Sequence, residues 1–273
     1  KLKDDEVGVR MRAASAAVQM KVVAIVPLLI SAMQNAKTDE ERSHHAFCLG
    51  ALQDPASAGP LVSFLTDERS DIHRIAAKAL IDLSRPDVVM GLARPLLARY
   101  EQWSLPHATS ARAARYLSLC ELTINYRDEA SVPILLRMLT TPRHEGIAAY
   151  VLHLVLELTR EEEIVRDPFV LSMRPGAEHA LGLADASLKV DAIRLMVRMP
   201  PSLARAALTP ERMARLLQDA NPAVASAALA TVLADGRIAL DLAEPQAGAA
   251  PGLHFRPSTQ VASCLASAGL TCG

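Results

Sequence analysis

Apolar residues along this chain recur at helical spacing, and the segments that carry them repeat. In residues 72–83, Ile72, Ile75, Ala76, Ala79, Leu80 and Leu83 fall at i, i+3, i+4, i+7, i+8 and i+11, one face of a helix. Asp71 is placed to cap its start, and Ser84-Arg85-Pro86 to stop it. The preceding stretch, residues 54–67, supplies a partner helix with Leu61, Val62, Phe64 and Leu65. Related Ala-rich helices are predicted over 9–18, 41–52, 111–122, 147–158, 188–199 and 224–233. About seven helical pairs result, the first lacking its N-terminal member.

A second recurrence supports one reused unit. Small or apolar residues, a proline and an apolar stripe appear as Ile25-Val26-Pro27-Leu28-Leu29 and Ala58-Gly59-Pro60-Leu61-Val62. They return as Ala93-Arg94-Pro95-Leu96-Leu97 and Ser131-Val132-Pro133-Ile134-Leu135. Proline lacks the N–H that would close the previous turn, so each is expected in a first turn or at a bend. Residues 159–187 hold Pro168, Pro175 and Gly176, and their periodicity assigns no clear first helix. The pattern resumes at Pro210.

The units resemble the HEAT-repeat family, especially the short form found in phycobilisome lyase subunits. The matching features are the Pro-apolar first helix, the Asp/Asn-rich turn and the Ala-Ala-x-Ala-Leu second helix, over roughly residues 5–235. The resemblance implies an all-α protein, a right-handed α-solenoid of stacked antiparallel helix pairs with the second helices lining a concave face. Stacking would supply the core that no single pair can bury. The expected organisation is a solenoid over 1–236 and a flexible Ala/Gly/Pro/Ser-rich tail over 237–273.

Composition agrees with helices. Ala and Leu make up nearly a third of the 273 residues, whereas aromatics are 3%. With 29 Lys+Arg against 30 Asp+Glu, nothing pulls the whole molecule toward nucleic acid or acidic membranes. The longest apolar run, residues 22–33, is too short to span a bilayer and contains Pro27. Lys1, Lys3, Asp4, Asp5 and Glu6 do not read as a signal peptide. The chain starts on Lys with helical periodicity at once, so a piece of a longer protein is expected. Cys48, Cys120, Cys264 and Cys272 form no C-x-x-C pair, which suits a reducing, cytoplasmic setting.

Chemistry is sparse in the sequence. Zinc or iron needs three or four converging ligands. The histidines at His44-His45, His73, His107 and His144-Glu145 do not supply that pattern. Deoxyhypusine hydroxylase, built from HEAT-like repeats, binds two irons through repeated His-Glu dyads; here His144-Glu145 is the only dyad. No metal and no cofactor is therefore expected. No G-x-S-x-G elbow or Gly-rich phosphate loop occurs. Cys48 and Cys120 read as core fillers, and Glu161-Glu162-Glu163 as a solvated turn.

Two kinds of partner remain. Arg10, Arg12, Arg42, Arg74, Lys78, Arg112 and Arg115 lie on or beside second helices, but the net charge supports no basic stripe, so nucleic acid is not the expected partner. Residues 99–108 enlarge one connection and carry the only Trp, Trp103, beside Tyr100. Insertions in solenoids map to loops on a binding edge, and Trp, Tyr and Arg are common anchors. The expected function is a non-catalytic protein-binding scaffold with Tyr100, Trp103, Arg74, Arg112 and Arg115 as contacts. The alternatives are an enzyme subunit of the bilin-lyase type and a nucleic-acid-binding solenoid.

Overall fold

A computed structural model describes residues 2, 4–65, 72–99, 111–141, 145–162 and 164–234, with side chains at all of these except 111–115, 145 and 234. Fifteen α-helices and three short 3-10 turns account for the regular structure, and no strand occurs among the described residues. No described helix is long and apolar enough to cross a membrane. The chain divides into two compact units, residues 1–154 and 155–273.

The first unit runs α1 (Val7–Gln19), α2 (Val26–Asn35), α3 (Asp39–Leu52), α4 (Ala58–Phe64), α5 (Ile72–Leu83), α6 (Pro86–Leu97), α7 (Ala111–Asn125), α8 (Val132–Thr140) and α9 (Glu145–Leu158), whose last turn enters the second unit. Packing follows chain order. α2 lies on α3, α4 on α5 and α6 on α7, while α1, α3, α5 and α7 lie side by side in succession. Each helix thus buries its apolar stripe against its partner and its neighbours in the next unit, the economy expected of repeats.

Four second helices stop in the same way. Lys21, Gln53, Ser84 and Arg127 follow α1, α3, α5 and α7 with φ of 52°, 55°, 54° and 50°. A left-handed residue lets the chain reverse while the last carbonyls find donors: Lys21 N–H bonds Val18 O and Gln53 N–H bonds Gly50 O. Glycine is the usual residue there, and none of the four is glycine. Asp71, expected to cap α5, lies outside the described residues.

Counting back from these residues aligns the helices. Seven places before them lie Ala14, Ala46, Ala77 and Cys120, and four places before them Ala17, Leu49, Leu80 and Thr123; all eight are buried. Cys48 is likewise buried one turn from Leu52. Both cysteines fill core positions as expected, and burial pushes their thiols up to about 11 for Cys48 and about 12 for Cys120. At Gly50 a Cβ would sit 2.5 Å from the carbonyl oxygen and 2.7 Å from the Cα of Ala79, so α3 and α5 touch backbone to backbone.

The prolines divide. Pro27 and Pro133 open α2 and α8, and Pro60 is in the first turn of α4, as expected. Pro95 is neither: α6 opens at Pro86, and Pro95 lies inside it near the C-terminal end. The missing N–H there falls opposite the Gly91 carbonyl, and only two residues of helix follow.

In the second unit, the stretch left unassigned by periodicity forms two short helices, α10 (Pro168–Ser172) and α11 (Arg174–Ala180), broken at Met173. Next come α12 (Ala186–Arg198), α13 (Pro201–Ala207), α14 (Pro210–Leu217) and α15 (Pro222–Ala234). α12 packs on α11, α13 and α15, and α14 packs on α15. Asp167, Asp185 and Thr209 cap α10, α12 and α14 through their side-chain oxygens. The proposed tail, 237–273, lies outside the described residues.

Candidate functional site

The second helices of the first unit bury two rows of side chains and turn others outward. Six places before each left-handed residue stand Ser15, Phe47, Lys78 and Glu121. Ten places before stand Met11, Ser43, Arg74 and Leu117, and two places before stand Gln19, Ala51, Asp82 and Asn125. Positions four apart share a helix face, and all twelve residues are at least partly exposed. With α1, α3, α5 and α7 side by side, they form one continuous outward face.

Phe47 is the feature of this face most in need of an explanation. It is 51% exposed in a chain with four Phe and one Trp. Its neighbours on α3, Ala46 and Cys48, are buried, so Phe47 is off the apolar stripe rather than at its margin.

The basic residues sort into two groups. Arg10 is spent internally: its Nε and Nη2 donate to Glu41 Oε1 and Oε2 at 2.5 and 2.9 Å. Arg42 donates to Asp39 Oδ1 and to Ala36 O, both at 2.9 Å. Arg12, Arg74 and Lys78 are instead exposed.

Arg74 belongs to a mixed cluster on three successive second helices. Glu121 on α7 is half-buried; burial pushes its carboxyl above the usual range, and Arg74 on α5 opposes that. Burial also raises the Tyr150 phenol on α9, Glu121 and the Cys120 thiol add to it, and Arg74 again pulls down. Arg74, Glu121 and Tyr150 therefore lie within electrostatic reach of one another. Such an array can offer a cation, a carboxyl and a hydroxyl to a polar surface.

Of the five contacts expected from the sequence, Arg74 stands on the outward face of α5. Arg112 and Arg115 fall in the first turns of α7, with their side chains outside the described residues. Tyr100 and Trp103 lie outside the described residues altogether, as do His107 and His144. Phe47, Glu121 and Tyr150 are not among the residues expected from the sequence, and Lys78 stands there only among the cations that form no basic stripe. An aromatic out of phase with the Ala/Leu stripe of its own helix was the available signal for Phe47. Glu121 and Tyr150 are joined to Arg74 only by stacking.

Among the described residues, no group of three His, Cys, Asp or Glu side chains is placed to hold a metal ion. His44 Nε2 lies 3.0 Å from both Ser15 Oγ and Met11 O, while His45 and His73 are buried. No family model matches the chain, and no curated protein matches it at a meaningful level of similarity.

Proposed function

We propose that the chain is a HEAT-like α-solenoid serving as a non-catalytic protein-binding scaffold, with the outward face of its second helices as the contact surface. The observation that carries this reading is Phe47, half-exposed on that face and flanked in register by Lys78, with Arg74 and Arg12 on the same side. Exposed aromatic and Arg side chains on a rigid surface are the usual anchors of protein interfaces. The partner that fits presents an apolar side chain to Phe47 and carboxylates to Arg12, Arg74 and Lys78. Tyr100, Trp103, Arg112 and Arg115 would extend the contact along the α6–α7 side. A nucleic-acid backbone would ask for uninterrupted cations, and here Glu121 and Asp82 interrupt them.

Site-specific photocrosslinking tests the reading. A photoreactive residue at position 47 or 78 should capture one discrete protein, and the same group at Ser31, exposed on α2, should not. With that protein purified, Phe47→Ala should weaken binding by about tenfold or more. Equal capture from all three positions, or capture of nucleic acid alone, would defeat it.

A further inference from the structure

The interface between α1 and α3 contains a charge cluster that the binding face does not use. Glu41 is 1% exposed and His45 is 0% exposed, one helical turn apart on α3. Arg10 of α1 closes over Glu41 with its two-point ion pair. His45 Nε2 lies 3.6 Å from Glu41 Oε1, the oxygen that Arg10 Nε already holds. Neither ring nitrogen of His45 has a hydrogen bond. Its place in the helix is that of Ala76 in α5, a position that asks for a small apolar residue.

We propose that Arg10, Glu41 and His45 form an acid-sensitive latch that holds α1 on α3 near neutral pH and releases it when His45 takes up a proton. At neutral pH the buried charges balance, Arg10 against Glu41. A proton on His45 places a second cation against the same carboxylate oxygen, with no protein acceptor within hydrogen-bond distance of either ring nitrogen. The neutral ring is tolerated in this setting and the charged one is not.

The surroundings offer no other compensation. Burial is the largest influence on His45 and disfavours its protonated form, Glu41 favours that form, and His44 and Arg10 side with burial; together they hold its pKa below the ordinary 6.5. α2 carries no ionisable side chain. On α5 the ionisable groups are His73, which is buried, and Arg74, Lys78 and Asp82 on the outward side. Arg12, the other cation of α1, is exposed. By linkage, the opened state takes up its proton at a higher pH than the closed state, whose histidine pKa is lowered, so closure weakens as pH falls through 6.5. α1 yields before α3 because, among the described helices, α1 packs closely on α3 alone, whereas α3 packs on α1, α2 and α5. Loss of α1 would strip Met11, Ser15 and Gln19 from the outward face, so the latch would also regulate the surface proposed above.

Hydrogen exchange on the full chain reads the latch directly, with intrinsic rates corrected. From pH 7.5 to 5.5 the opening equilibrium of α1 amides should rise, by up to about tenfold for one proton with an ordinary histidine pKa in the opened state, and α5 amides should not follow. His45→Ala installs the residue found at that place in α5 and should abolish the rise. His45→Gln should abolish it too, with a polar side chain retained, and guards against a folding defect in the first variant. The proton shifts of the His45 ring, followed by NMR in the unaltered chain, should titrate below 6.5. Unchanged α1 protection, a rise that persists in either variant, or an ordinary titration of His45 would each overturn the proposal, whatever the outward face binds.

Discussion

At the scale of single residues, Gly50 and Lys21 make opposite demands on the backbone. Gly50→Ala adds a methyl group that meets the backbone of Ala79 at 2.5 Å, where no side chain can swing aside. The variant should lose about 3 kcal/mol in urea unfolding, despite the roughly 1 kcal/mol that Ala gains over Gly in a helix. Lys21 is exposed in the left-handed region at φ 52°. Lys21→Gly should therefore stabilise the chain by about 0.5–1 kcal/mol in the same assay. Glu41 adds a pH dependence of its own. Its hydrogen bond from Arg10 holds its carboxyl below the ordinary 4.5. The resulting stability is present above 4.5 and lost as pH falls through the lower folded value. Arg10→Met removes the counter-charge, so acid unfolding followed by circular dichroism should begin at higher pH. None of the three residues announced its role in the sequence. Gly50 looks like any isolated glycine until α5 lies against it, and Lys, Gln and Arg carry no turn signature at positions 21, 53 and 127, although Ser84 lies in a stop signal with Pro86.

At the scale of elements, the second helices were legible and the first helices less so. Periodicity placed α1, α3, α5, α7, α9, α12 and α15 to within about three residues, because each buries one Ala/Leu stripe. The first helices are shorter and lean on proline, and proline has two meanings. Pro27 opens a helix, whereas Pro95 sits inside α6, two residues from its end. Where periodicity assigns no clear helix, α10 and α11 form, parted at Met173 with Pro175 in the first turn of α11. Side-chain ties then join one pair to the next. Arg94 grips Asp128 with two bonds of 2.7 and 3.1 Å, and the Tyr126 hydroxyl donates to Leu80 O. Burial would raise the Asp128 carboxyl, but Arg94 and Ser131 outweigh it and hold it low. Tyr126→Phe should increase hydrogen exchange at the C-terminal end of α5 while leaving α3 unchanged, which separates a local tie from a general loss of stability.

At the scale of the whole molecule, the all-helical class was legible from composition and pattern alone, and the candidate face was not. A repeat period states which residues are buried within a unit. It does not state which outward residues meet across units, and Phe47, Lys78, Arg74, Glu121 and Tyr150 come from three or four units. The contact between Gly50 and Ala79 bears on how such an array moves. Where side chains lie between two helices, a change of rotamer can let the joint give. Between α3 and α5 main chain rests on main chain, leaving nothing soft in between. Pulled from its ends, the first unit should therefore yield at the α1–α3 or α5–α7 joints first, with α3 and α5 travelling together as one stiff block.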